Sequence, residues 1–123
     1  MFKKKIICFD LDEVICNNTK YKNSNLINYN KSKPIRGAVK AINKLYDRGH
    51  TIIIYTARGM TRYKGNVSLV KKKLSKLTIN SLKTWNLKYH KLVFGKIAYD
   101  VIIDDKSINY KNNWKRIILK KFR

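Results

Sequence analysis

Ile6-Ile7-Cys8-Phe9-Asp10-Leu11-Asp12 decides the reading of this chain: a short apolar run that stops on two carboxylates. Three further runs repeat the arrangement. Thr51-Ile52-Ile53-Ile54-Tyr55 leads into Thr56-Ala57-Arg58, Leu92-Val93-Phe94-Gly95 into Lys96, and Val101-Ile102-Ile103 into Asp104-Asp105. Short β-branched and aromatic runs separated by helix-length stretches indicate buried strands of a parallel sheet. Ligands of open parallel sheets bind in the crevice outside the carboxyl ends of the strands. One sheet edge is therefore expected to gather Asp10, Asp12, Asp104 and Asp105 with a hydroxyl, an ammonium and a guanidinium. Such a set suits a divalent cation and a phosphate.

Between these runs the pattern changes. Strands are expected at 5–10, 51–56, about 89–94 and about 99–104. Residues 11–34 are polar, rich in Asn and Lys, and read as a loop or small hairpin flap over the sheet edge. Pro34 is placed at a helix start, where proline is tolerated. Val39, Ile42, Leu45 and Tyr46 follow at helical spacing, and Gly49 supplies a stop. Residues 67–86 read as helix, broken near Thr78, which would cap a second piece. A terminal amphipathic helix is expected from about Ser107 to Phe122. The order β-α-β-α-β-β-α implies right-handed crossovers and one three-layered α/β domain over 1–123.

Composition bounds the alternatives. A chain of 123 residues, 44% hydrophobic with a single proline, suits one globular domain with one core. No apolar run approaches the ~20 residues that span a bilayer. Two aspartates interrupt the stretch after the basic start Met1-Phe2-Lys3-Lys4-Lys5, which a signal peptide would not carry, so a cytoplasmic protein with no membrane partner is expected. Cys8 and Cys16 lack C-x-x-C spacing and read as reduced thiols. The net charge of +22 invites a nucleic-acid partner. Yet 23 Lys against 6 Arg, with 13 Asn, 16 Ile and 4 Ala, is the mark of an A/T-rich coding sequence, whereas a phosphate-gripping surface favours arginine. Of seven acidic residues, four stand at two strand ends rather than scattered for solubility.

Each candidate also has a plain structural reading. Asp10 and Asp12 can simply end a strand, but the pair also suits phosphoryl transfer: one carboxylate attacks phosphorus, the other protonates the leaving oxygen and then activates water. Asp104-Asp105 can cap the last helix, yet adjacent carboxylates repel unless a cation offsets them. Thr56 can cap a turn, and Lys96 is one lysine among many; both fall where a phosphoryl group would be held. Arg58 can fork onto the phosphate or a substrate carboxylate. His50 and His90 read as structural.

Together these residues resemble the haloacid dehalogenase (HAD) superfamily. Phe9-Asp10-Leu11-Asp12-Glu13-Val14 is similar to its first motif, Ile54-Tyr55-Thr56-Ala57-Arg58-Gly59 to the second, Phe94-Gly95-Lys96 to the third and Ile103-Asp104-Asp105-Lys106 to the fourth, in order along nearly the whole chain. Leu45–His50 and Trp85–Leu92 further resemble small phosphatases of capsule or lipopolysaccharide biosynthesis. The resemblance implies a Rossmannoid three-layer sandwich and a Mg²⁺-dependent phosphomonoesterase working through an aspartyl-phosphate on a small sugar or polyol phosphate. Asp10 would be nucleophile and metal ligand, and Asp12 acid/base and metal ligand through its carbonyl. Thr56, Ala57, Arg58 and Lys96 would hold the substrate, with Asp105 a direct metal ligand and Asp104 orienting Lys96 or metal-bound water. Glu13 stands where many relatives have Gly, and Ile97 where they tend to have Pro. The short connections leave no room for a large cap domain. The alternatives are a phosphatase of nucleic-acid ends and a non-catalytic HAD-like binding domain.

Overall fold

Ile7, Phe9, Ile52 and Ile54 supply the apolar centre on which the rest of the chain condenses. In the computed structural model, which describes residues 3–123, the elements run β1 (Ile6–Asp10), β2 (Cys16–Lys20), β3 (Ile27–Pro34), α1 (Ala38–Asp47), β4 (Thr51–Thr56), α2 (Val67–Thr84), β5 (Lys91–Phe94) and α3 (Trp114–Lys121). Met1 and Phe2, which open the basic run, lie outside the described residues.

The protein is a mixed α/β domain with a three-stranded parallel sheet in the order β1-β4-β5. Asp10 is level with Tyr55 in the first pair and Thr56 with Phe94 in the second, so the three strands end together. A separate antiparallel hairpin, β2-β3, occupies the expected flap. Helix α1 buries Ala38, Ala41, Ile42 and Leu45, the i, i+3, i+4, i+7 stripe of an amphipathic helix. It ends at Gly49, whose N–H bonds Tyr46 O at φ +95°.

Three expectations need correction. Pro34 closes β3 rather than opening a helix; α1 starts at Ala38, after Gly37 in the left-handed region. Helix α2 is continuous through Thr78, which is buried in the row Val70, Leu74, Thr78, Leu82; the side-chain cap is Asn66, accepting from Leu69 N–H at 3.1 Å. The strand expected at 99–104 is not formed, and among the described residues 95–113 carry no helix or strand. Ile103 is 98% exposed, and the outer edge of β1, with Ile6 74% exposed, pairs with no strand among the described residues. A parallel strand needs a crossover of about a dozen residues or more, and 95–100 falls short of that. Accordingly α3 begins at Trp114, later than the sequence reading has it.

Both histidines serve the ladder, as their structural reading requires. His50 Nδ1 accepts Lys5 N–H and His90 Nδ1 accepts Ile52 N–H, each at 3.0 Å, at the amino ends of the strands and opposite the Asp10 edge.

Candidate active site

Strand β1 carries Asp10 to the carboxyl edge of the sheet, where its side chain stays 37% exposed. Leu11 N–H donates to Asp10 Oδ1 at 3.0 Å, and Lys96 Nζ stands 3.6 Å from the same oxygen. Oδ2 has no hydrogen-bond or ion-pair partner among the described residues. Burial pushes the Asp10 carboxyl above its ordinary value, with Lys96 opposing that shift and Asp12 adding to it. For Lys96, burial opposes the charged form, but Asp10 and the Tyr99 hydroxyl outweigh it and hold the ammonium more firmly protonated. Lys96 is positioned by the loop after β5: its N–H bonds Thr56 O at 3.1 Å, and Gly95 turns the chain at φ +94°.

Asp12 has a different environment. Its carboxylate is 22% exposed and takes a fork from Arg58: Nη2 to Oδ1 at 2.6 Å and Nε to Oδ2 at 3.2 Å. Asn18 Nδ2 adds a bond to Oδ1 at 2.7 Å. Cys16 lies beneath, its thiol pushed up to about 12 by burial and then by Asp12, so it is an inert filler rather than a nucleophile. Both cysteines are free. The turn between is tight: Leu11 O accepts from Ile15 N–H at 2.9 Å, and Glu13 N–H donates to Cys16 O at 2.7 Å. Glu13 sits at φ +69°, where a Cβ costs about 1–2 kcal/mol, which is why glycine suits this position.

The loop after β4 delivers Arg58 inward, not outward. Thr56 is fully buried and its Oγ1 accepts Arg58 N–H at 2.9 Å, the turn-cap reading of that residue. Ala57 O accepts Met60 N–H at 2.9 Å, and Gly59 turns at φ +78° where a Cβ would come within 2.6 Å of Leu74. The loop is thereby pressed onto α2, and Arg58 is only 2% exposed. In this arrangement neither the Thr56 hydroxyl nor the Arg58 guanidinium is open to a ligand.

Of the expected site residues, Asp10, Asp12, Thr56, Ala57, Arg58 and Lys96 share one end of the sheet. Asp104 and Asp105 do not join them. Both are exposed in the irregular 95–113 segment, where Asp104 Oδ1 accepts Lys106 N–H at 2.9 Å. Among the described residues no three carboxylate, thiol or imidazole groups converge as a metal site. The expected Mg²⁺ ligand set is therefore not assembled, because the strand that was to carry its second half is not in the sheet. Asp104→Asn and Asp105→Asn should each change stability by under about 0.5 kcal/mol in metal-free buffer, as surface substitutions do. Thermal melting checks this. A Mg²⁺-dependent rise in Tm lost in Asp105→Asn would instead show that the segment reaches Asp10.

The sequence reading missed Asn18, Tyr29, Ser32 and Thr78, which surround the Asp12–Arg58 pair. One signal was available: Thr78 is the lone hydroxyl in an otherwise aliphatic i, i+4 row of α2. Two hollows lie elsewhere. A groove of about 570 Å³ between β3 and α2 holds Lys73 and Lys76, and one of about 660 Å³ flanks α1. Asp10 lines neither.

No family model and no curated protein matches this chain. A crystal structure of a target protein from Vibrio cholerae is similar, with a TM-score of 0.73 over 97% of this chain and 98% of that one at 21% identity. The likeness is one of fold.

Proposed function

We propose that the protein is a phosphomonoesterase of the HAD type, a Rossmannoid α/β domain without a large cap, acting on a small sugar or polyol phosphate. The observation that carries it is Asp10 at the carboxyl end of β1 with one free carboxylate oxygen and Lys96 3.6 Å from the other. Asp10 Oδ2 attacks phosphorus, the bond from phosphorus to the leaving oxygen breaks, and an aspartyl-phosphate forms. Asp12 delivers the proton that the departing alkoxide needs, then takes one from the water that hydrolyses the acyl-phosphate. Lys96 offsets the charge on the phosphoryl oxygens. Mg²⁺, implied by the resemblance, carries no step in this scheme, since its ligands do not converge as described above. Surface-polysaccharide synthesis as the setting rests on the resemblance alone.

A second reading, a phosphatase of nucleic-acid ends, draws on the +22 charge and on the lysine-bearing groove beside α2. Phosphate release across phosphorylated metabolites and 3′- or 5′-phosphorylated oligonucleotides tests both readings. The first expects a small monoester as the best substrate, with kcat/KM changing less than about tenfold between 50 and 200 mM salt, since few charges are neutralised. Hydrolysis of an oligonucleotide end that depends on Asp10 and falls about a thousandfold over that range would establish the second.

A further inference from the structure

Arg58 is a cation with no route to solvent, and three separate parts of the chain close around it. Its Nη2 and Nε fork onto Asp12, and its Nη1 donates to Thr78 Oγ1 of α2 at 3.2 Å. From the hairpin, Tyr29 lays its ring 4.3 Å from the guanidinium carbon, and Ser32 Oγ lies 3.4 Å from Nη2. Ser32 in turn donates to Asn18 Oδ1, and Asn18 donates to Asp12. The hairpin packs Tyr29 and Ile27 against Val70, Leu74 and Phe94, but β2 and β3 form their own two-stranded sheet, and among the described residues neither pairs with β1, β4 or β5. Arg62 adds a bond, Nη2 to Ile27 O at 2.7 Å, and its guanidinium carbon lies 5.3 Å from the Tyr29 ring centre.

We infer that Arg58 is a positioning residue that bolts the β2-β3 hairpin to Asp12 and fixes which Asp12 oxygen handles the proton. Oδ1 accepts from Arg58, Asn18 and the Cys16 thiol, whereas among the described residues Oδ2 accepts only from Arg58 Nε at 3.2 Å. Oδ2 is therefore the oxygen left to carry the proton to the leaving oxygen and, once that proton is given up, to accept one from water. Lysine cannot replace this arrangement, because an ammonium lacks the planar fork that meets both oxygens while stacking on a ring. The catalytic half of the inference rests on the phosphatase reading; the hairpin half does not. It also differs from a role for Arg58 in gripping substrate, which would appear in KM.

The test is Arg58→Lys, read by amide hydrogen exchange and by kinetics on an alkyl phosphate and p-nitrophenyl phosphate. Exchange in 16–34 should rise about tenfold or more while 51–56 stays unchanged, because the hairpin loses its polar anchor and keeps only its apolar packing, whereas β4 keeps both of its ladders. On the alkyl phosphate kcat should fall about a hundredfold with KM within about threefold, the loss expected when acid–base help fails. On p-nitrophenyl phosphate, whose leaving group departs without a proton, kcat should fall less than about tenfold. Unchanged exchange in the hairpin, or a KM rise with kcat retained, would overturn the inference. If wild type hydrolyses no monoester, the phosphatase reading falls and the exchange result alone decides the bolt. Should Arg58→Lys not fold, Tyr29→Leu keeps the Asp12 fork and removes the stack; it should free the hairpin in the same way, and an unchanged hairpin there overturns the coupling.

Discussion

Asp10→Asn is expected to abolish phosphate release, by at least about 10⁴-fold in kcat, while the protein becomes more stable at neutral pH. The amide keeps the size of the side chain but has no lone-pair anion to attack phosphorus. The stability gain follows from the environment of the carboxyl. Burial raises its folded value above the ordinary 3.8, more than Lys96 lowers it. Between those two values the folded chain binds more protons than the unfolded one, so stability falls as pH rises through that window. The loss persists at neutral pH, where the ionised Asp10 is held partly out of water. Asparagine removes it, and the variant's advantage should vanish below the ordinary carboxyl value, where both states of wild type are protonated. Phosphate release and melting temperature measured from pH 3 to pH 8 test the two halves. Turnover within tenfold of wild type would remove Asp10 from the nucleophile role, and a Tm drop at neutral pH would contradict the electrostatic account.

Two residues on, the same substitution should act in the opposite direction. Asp12→Asn leaves the Arg58 guanidinium, whose side chain is fully buried, without its counter-charge. Removing one partner of a buried pair costs about 3–5 kcal/mol, and the partial exposure of Asp12 puts the expected loss near the lower figure, roughly 3 kcal/mol. Against a whole-domain stability of about 5–15 kcal/mol that is a large fraction. Turnover of alkyl phosphates should fall about 10²–10⁴-fold, the range of general acid–base catalysis. Urea denaturation at neutral pH and steady-state kinetics check the pair of effects. A loss under about 1 kcal/mol would mean that the fork seen here contributes little, as exposed pairs do.

The contrast between these aspartates marks how far residue patterns reach. Asp10 was legible as a strand-end carboxylate because the run from Ile6 to Phe9 fixes the strand, and a strand's end follows from its own residues. The fate of Asp12 depends on Arg58, which is 46 positions away and reaches it only because Gly59 lets the intervening loop press onto Leu74. Read along the chain, Arg58 looked like a substrate ligand; packed, it is an internal cation that Thr78, Tyr29 and Ser32 share.

What the sequence determined by itself is the local periodicity: β1, β4 and β5, the stripe of α1 and a polar loop or small hairpin after Asp12, whereas α2, expected to break near Thr78, runs through it. Alternation and helical spacing express which faces a segment buries, and that needs no knowledge of partners. Only the tertiary structure decided the rest. Val101-Ile102-Ile103 has strand composition, yet a strand exists only where a neighbouring backbone supplies its ladder, and the connection from Phe94 is too short for a parallel return to β1. Asp104 and Asp105 consequently remain in solvent, while the carboxylate of Asp12 spends its charge on Arg58, because in a packed interior a buried cation must find an anion whatever their separation in sequence.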